Sequence, residues 1–332
     1  MILALLQSGV PGLIEHRIAN IFRPVATPAE SEYKLAMFVF AITGTIFVVV
    51  AGLLIYTILR FRARPGDDTH REPPQVYGSS QIEIAWTVIP ILIVFVLVGV
   101  TARILTGVGD AKPPASAVQA TIVGHQWWWE IRYPALGIIT ANELHVPVAG
   151  SANDYPTFLR LESMDVMHSF WVPQLAGKTN LIPNRVNSMW IDPREPGVYF
   201  GNCAEYCGTQ HANMLLRVIV HPKREFDEWV TAQGKGFAVN AQASPGELAF
   251  RRLACVSCHA IQGTRAKGTM GPNLTHLMSR QTIGSGVVTN TPENLRAWVK
   301  DPQSIKPGCF MPGMKLTEQQ LDGVVSYLQS LK

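Results

Sequence analysis

Five residues in the middle of the chain carry soft-metal ligand chemistry. Cys203-Ala204-Glu205-Tyr206-Cys207 is followed by His211 and Met214, and His168 stands upstream in Asp165-Val166-Met167-His168. Two thiolates, two imidazoles and a thioether favour copper over hard cations. A mononuclear blue-copper site needs one Cys, two His and a weak Met, and this set holds one thiolate more. Two sulfurs could bridge two copper ions, each completed by one His. Sharing one unpaired electron over two metals leaves the geometry nearly unchanged on reduction, which suits fast one-electron transfer. A Cys203–Cys207 disulfide is one alternative, but it leaves His211 and Met214 unexplained. A structural zinc site is another, and zinc has no use for the Met.

A second constellation lies downstream. Cys255-Val256-Ser257-Cys258-His259 has the C-x-x-C-H pattern of covalent haem c attachment. Both thiols add to the haem vinyl groups and the adjacent His ligates iron. A redox dithiol followed by His is the competing reading. Gly271-Pro272-Asn273-Leu274 and the Met311-Pro312 pair follow in the order expected of a cytochrome c. A His/Met axial pair raises the haem potential. Met314 competes with Met311 for the distal position. Cys309 has no partner in this pattern and is read as a free thiol or small apolar filler.

The elements that must position these groups differ along the chain. Short β-rich runs at Val118–Val123, Trp127–Tyr133, Thr157–Glu162, Ser188–Ile191, Val198–Gly201 and Leu215–Val220 are separated by turn residues. That spacing predicts a β-sandwich or small barrel. Phe226–Ala243 reads as a helical piece running into a Gly/Ala/Gln linker. From Pro245 the chain reads as helical. Ser244-Pro245-Gly246-Glu247 and Thr317-Glu318-Gln319-Gln320 have capping-box spacing, and Leu321, Val324, Val325 and Leu328 share one helical face.

The N-terminal third is of another kind. Leu35–Leu59 is 25 residues without a charge, and Ile84–Ala102 is 19, with Pro90 inside. Both are long enough to cross a bilayer as helices. The connection carries Arg60, Arg62, Arg64 and Arg71, so the positive-inside tendency puts it in the cytoplasm and both termini outside. Met1–Val10 is apolar without a basic flank and has the character of a weak signal or its remnant.

Composition narrows the function. The 332 residues suffice for two or three compact units, and five cysteines are too few for a disulfide framework. The formal charge of +4 is dispersed, and no basic run interleaves with aromatics, so nucleic acid is not an expected partner.

Taken together, Cys203–Met214, Gly124-His125-Gln126-Trp127-Trp128-Trp129 and Asp165–Phe170 resemble the copper A subunit II of cytochrome c oxidases over roughly residues 30–232. Residues 245–332 resemble a class I cytochrome c domain, and the fusion resembles the caa type. The resemblance implies a two-helix transmembrane hairpin, an all-β cupredoxin-like sandwich and an all-α cytochrome c domain. The corresponding segments are an N-terminal arm over 1–32, the hairpin over 33–107, the copper domain over 115–232, a linker over 233–244 and the cytochrome over 245–332.

It further implies binuclear copper A on His168, Cys203, Cys207, His211 and Met214, with the Glu205 carbonyl as a weak ligand. It also implies Mg²⁺ on the Glu205 side chain at a subunit I contact, haem c on Cys255, Cys258, His259 and Met311, Trp127 as a surface gate for electrons, and Glu83 at the mouth of a proton channel. Expected partners are subunits I and III, a c-type cytochrome or upstream respiratory complex as donor, and membrane lipid. The expected place is a bacterial cytoplasmic membrane, crossed more than once, with the redox domains on its periplasmic face. Trp128, Asn180 and Asn184 depart from the family's usual residues, beside the retained Lys178 and Arg185. The implied activity is oxidation of a c-type cytochrome, coupled through subunit I to oxygen reduction and proton pumping. The alternatives are a subunit of a copper A nitric oxide reductase, and a membrane-anchored electron carrier with no catalytic partner.

Overall fold

The computed structural model describes residues 20–66, 72, 75, 77–109, 114, 117–149, 155–235 and 244–332. The signal-like Met1–Val10, Arg71 of the loop and residues 236–243 of the expected linker lie outside these. The chain divides into two compact units, Glu30–Ala111 and the remainder.

Helices α1 (Thr27–Arg60) and α2 (Ser80–Gly109) contain the two uncharged stretches. Both are long and apolar enough to cross a membrane, and their most apolar windows are not buried within the protein. Large apolar side chains such as Phe47, Leu54, Leu92 and Phe95 are exposed along them. In water such surfaces would be costly, and in a bilayer they meet hydrocarbon. Pro90 sits within α2, and Glu83 stands in its first turn, where the helix dipole favours an anion.

Ten strands build two facing five-stranded sheets. They are β1 (Gln119–His125), β2 (Trp128–Tyr133), β3 (Ile138–Ala141), β4 (Glu143–Pro147), β5 (Thr157–Ser163), β6 (His168–Val172), β7 (Ala176–Leu181), β8 (Asn187–Ile191), β9 (Gly197–Cys203) and β10 (Leu215–His221). One sheet runs β3-β2-β1-β5-β8 and the other β4-β10-β9-β6-β7. Along β5 Thr157, Leu159 and Leu161 are buried while Phe158, Arg160 and Glu162 turn outward, the period of two that a half-buried strand requires. Ile122, Trp129, Ile131, Tyr133, Leu144, Leu161 and Phe170 fill the space between the sheets and are almost wholly buried. The Tyr133 hydroxyl donates to the His145 carbonyl and accepts from its N–H, both at 2.8 Å, tying β2 to β4 across the core.

Six of these strands match the sequence expectation within a few residues, and four do not appear in it. Each of the four hides its periodicity. Strand β4 holds Glu143 and His145, both buried, and ends on Pro147. Strand β7 is Ala-Gly-Lys-Thr-Asn-Leu, with little apolar surface to alternate. Strand β3 has only four residues. Strand β6 is the His168 motif itself, read for its ligand chemistry.

Helix α3 (Lys223–Gly234) follows the sandwich, with Phe226 buried. The C-terminal part contains α4 (Pro245–Arg252), α5 (Cys255–Cys258), α6 (Pro292–Lys300), α7 (Pro302–Ile305) and α8 (Glu318–Gln329). It also contains a hairpin of two-residue strands, β11 (Thr282–Ile283) and β12 (Val288–Thr289), so it is not purely helical. Helices α4 and α8 cross at glycines: a Cβ at Gly246 would stand 2.0 Å from the Gly323 carbonyl oxygen. Phe250 and Tyr327 pack beside that crossing with ring centroids 5.7 Å apart. Thr317 and Gln320 form a reciprocal capping box. At Ser244 only half of the expected box forms: the hydroxyl accepts from the Glu247 N–H, while the Glu247 carboxylate pairs with Arg251.

Candidate metal and haem sites

Strand β6 and the loop between β9 and β10 bring the soft ligands together. The Cys203 and Cys207 sulfurs stand 3.8 Å apart, both thiols free. His168 Nδ1 lies 3.9 Å from Cys203 Sγ, and His211 Nδ1 lies 3.5 Å from Cys207 Sγ. Met214 Sδ is 3.8 Å from Cys207 Sγ, and the Glu205 carbonyl oxygen is 3.2 Å from Cys203 Sγ. His168, Cys203, Cys207 and Met214 are buried. Metal–thiolate bonds of about 2.3 Å span sulfurs at this separation, so one ion can touch both. The donor set fits a bridged pair of soft metal ions.

Surrounding residues fix these ligands. Asp165 Oδ1 holds His168 Nε2 at 2.8 Å, which leaves Nδ1 facing the sulfurs. Burial opposes a charge on His168, but its hydrogen bonds with Asp165 and Cys203 outweigh burial and raise its pKa. Asp165 Oδ2 also accepts from the Gln126 N–H at 2.6 Å. The Cys207 carbonyl accepts from Gln126 Nε2 at 2.7 Å and from Trp127 Nε1 at 2.9 Å. Gly124 makes room for the imidazole, since a Cβ there would lie 2.7 Å from His168 Cδ2. The sulfur–sulfur contact with Cys207, working against burial, holds the Cys203 thiol below its usual range. The same contact, together with burial, pushes Cys207 upward.

The three tryptophans take separate positions. Trp129 is buried in the core, its ring 6.1 Å from that of His168. Trp128 stacks on His125 at 4.2 Å. Trp127, expected as the gate for electrons, is only 7% exposed. Its ring lies against Phe310 of the cytochrome part, with centroids 5.0 Å apart. Lys306, 3% exposed, donates from Nζ to the Trp127 carbonyl. Burial lowers the Lys306 ammonium to about 7, against the pull of the Cys309 and Cys207 thiols.

In the cytochrome part, Cys255 and Cys258 bracket the single turn of α5 and His259 follows. Both thiols are free and only partly buried. His259 Nδ1 bonds the Pro272 carbonyl at 2.8 Å, which leaves Nε2 as the available ligand atom. Gly271 lies flat against that ring: a Cβ there would come within 2.6 Å of His259 Cε1. These residues fit haem c attachment. Gln303 Nε2 donates to the carbonyls of Cys309 and Met311, at 2.8 and 2.9 Å, and lies 3.3 Å from Cys309 Sγ. Gln303, in α7, thus holds the backbone of the segment that carries Cys309 and Met311.

Asp165, Gln126, Glu143, Lys306 and Phe310 have no assigned role in the sequence analysis. Asp165 lay inside a quoted motif, three residues before its imidazole. Gln126 lay inside another quoted motif, beside Trp127, whereas Glu143, Lys306 and Phe310 act across long stretches of chain and give no local signal.

Three family models match the chain: "Cytochrome C oxidase subunit II, transmembrane domain" over residues 16–102, "Cytochrome C oxidase subunit II, periplasmic domain" over 142–221, and "Cytochrome c" over 243–332. Cytochrome c oxidase subunit 2 of Alkalihalophilus pseudofirmus is 33% identical, across 93% of this chain and 90% of its own. The protein of the same name from Bacillus sp. strain PS3 is 34% identical, across 94% of this chain and 91% of its own. The periplasmic domain of subunit II of cytochrome oxidase from Bradyrhizobium japonicum aligns with 38% of this chain and 99% of its own, at 29% identity and a TM-score of 0.35.

These matches define a membrane-anchored, redox-active respiratory subunit. The chain belongs to the cytochrome c oxidase subunit II family, in the caa type that carries a C-terminal cytochrome c domain. Membership implies a copper A domain and haem c, association with subunit I in a haem–copper oxidase, and periplasmic domains on a two-span anchor.

Gly124→Ala should displace the His168 ring and lower stability by about 1–3 kcal/mol, as overpacking does. Metal analysis of the purified complex should then give less than its full copper content. Full copper with unchanged thermal unfolding would show that the ring has room to move.

Proposed function

We propose that this chain receives electrons from a c-type cytochrome or upstream respiratory complex at its cytochrome domain and delivers them through its copper domain to subunit I for oxygen reduction coupled to proton pumping. The observation that carries this reading is the convergence of His168 Nδ1, Cys203 Sγ, Cys207 Sγ, His211 Nδ1 and Met214 Sδ in one largely buried pocket. His168, Cys203, Cys207, His211 and Met214, with the Glu205 carbonyl, would hold a binuclear copper centre there. The Glu205 side chain, partly exposed, is assigned to Mg²⁺ at the subunit I contact. Copper A, when bound, supplies a one-electron site of low reorganisation, and haem c supplies a second at a potential set by its axial pair. The protein's part is to hold both rigid: Asp165 orients His168, and Pro272 orients His259. Trp127 receives electrons from the cytochrome side, because Phe310 covers its ring.

The setting is a bacterial cytoplasmic membrane, with the connection between α1 and α2 inside and subunit III among the neighbours. The arginines of that connection and the uncharged spans support this orientation. A nitric oxide reductase subunit or a free-standing carrier has no counterpart among the relatives described above, which are cytochrome c oxidase subunits 2 along nearly their whole length.

Electron paramagnetic resonance of the oxidised complex should show one unpaired electron coupled to two equivalent copper nuclei. Cys207→Ser should abolish that signal and Cys309→Ser should leave it intact; coupling to one nucleus rules out the binuclear site.

For the haem, Met311→Ala should remove the sulfur–iron charge-transfer band and lower the potential, while Met314→Ala does neither. The reverse result moves the ligand to Met314.

Glu83, in the first turn of α2, is assigned to proton uptake at the cytoplasmic end. Glu83→Gln should slow turnover, most at high pH where protons are scarce, with copper A and haem c spectra unchanged. Turnover equal to the native complex at every pH reduces Glu83 to a helix-end carboxylate.

A further inference from the structure

A buried ammonium is costly unless all its donors are used. Lys306 follows α7 in the cytochrome part, and its Nζ donates to three carbonyls: Trp127 at 2.8 Å, Asn213 at 2.8 Å and Gly284 at 3.1 Å. Two of these belong to the copper domain and one to the cytochrome domain. One copper-domain acceptor lies on the ligand loop and the other is hydrogen-bonded to it. Trp127 holds the Cys207 carbonyl through its ring nitrogen, and Asn213 lies between His211 and Met214.

Around this point the two domains are joined by polar contacts rather than by a loose tether. Gln210 Nε2 donates to the Pro307 carbonyl. The Glu143 carboxylate, wholly buried, accepts from the Gln281 N–H at 3.0 Å, the Thr282 N–H at 2.8 Å and the Thr282 hydroxyl at 2.9 Å. The Leu215 N–H donates to the Ser285 carbonyl at 3.2 Å, and the Ser285 hydroxyl returns a bond of 3.0 Å to Leu215. Phe310 adjoins the proposed iron ligand Met311 and lies on Trp127.

We infer that Lys306 is a positioning residue that pins the cytochrome domain in one fixed pose on the copper loop, keeping Phe310 against Trp127 as the contact between the two redox sites. The inference rests on the proposed relay from haem c to copper A. A pinned domain transfers electrons at one distance. A tethered domain must first find its docked pose, and its transfer is limited by diffusion within the tether.

The test uses the assembled oxidase, native and Lys306→Met, which keeps an unbranched apolar side chain and removes the three donors. Hydrogen exchange at the amides of Leu215, Gln281 and Thr282 should be slow in the native complex and faster in the variant. Haem c absorption and copper A resonance should be the same in both. After one electron is photoinjected at haem c, the ferrous haem loses it and copper A gains it. That step should be independent of solvent viscosity in the native complex. In the variant it should be on the order of tenfold slower and viscosity-dependent.

Native exchange rates and native transfer in the variant would overturn the pin, and so would viscosity-dependent transfer in the native complex. Native transfer that never reaches copper A would instead defeat the relay, and the exchange comparison would then decide the pin by itself. If the variant fails to assemble, the viscosity measurement on the native complex decides.

Discussion

Two thiols held 3.8 Å apart in a buried pocket set the terms for the rest of the copper domain. Two unit negative charges at that distance repel by about 4 kcal/mol at an effective dielectric of about 20. That repulsion disfavours ionising both sulfurs together, and their direct contact couples the two thiols. Positive charge must arrive before both sulfurs ionise, and the neighbouring imidazoles and thioether determine that it is a soft metal. The sandwich supplies the rigidity for this. His168 is carried on β6, Cys203 ends β9, and β10 begins directly after Met214, so most of the ligand set is fastened at strand ends in one sheet.

The cytochrome domain answers a different constraint with the same means. Covalent attachment needs two thiols and an imidazole on one short turn, which α5 and His259 provide. The remaining problem is to hold the ring at the right angle, and the Pro272 carbonyl and the bare face of Gly271 do so. The glycine crossing of α4 and α8 fixes the scaffold behind them. Both sites seat an imidazole against a bare glycine, but His168 is held by the Asp165 carboxylate and His259 by the Pro272 carbonyl.

What could be read from the sequence follows from how local each signal is. The C-x-x-C-H run, the Cys203–Met214 loop and the uncharged spans are contiguous, and residue type alone marks them. Strands with alternating Val, Ile and Leu were visible for the same reason. Strands β4 and β7 were not, because burial of Glu143 and His145 and the small polar residues of β7 erase the period. Lys306 lies 179 residues from Trp127, and nothing in its neighbours marks a lysine that will be buried. The contact of Trp127 with Phe310, from a segment more than a hundred residues downstream, is equally unmarked in the sequence.

The two helices of the anchor differ in apolar length. The uncharged part of α1, 25 residues, rises about 37 Å, whereas the 19 residues of α2 rise about 28 Å. A hydrocarbon core of about 30 Å matches the second and is too thin for the first. Helix α1 is therefore long enough to span with some tilt to spare, and α2 is just long enough to span. The spare apolar length of α1 lets the anchor meet bilayers of more than one thickness by changing its tilt, at a modest cost per ångström.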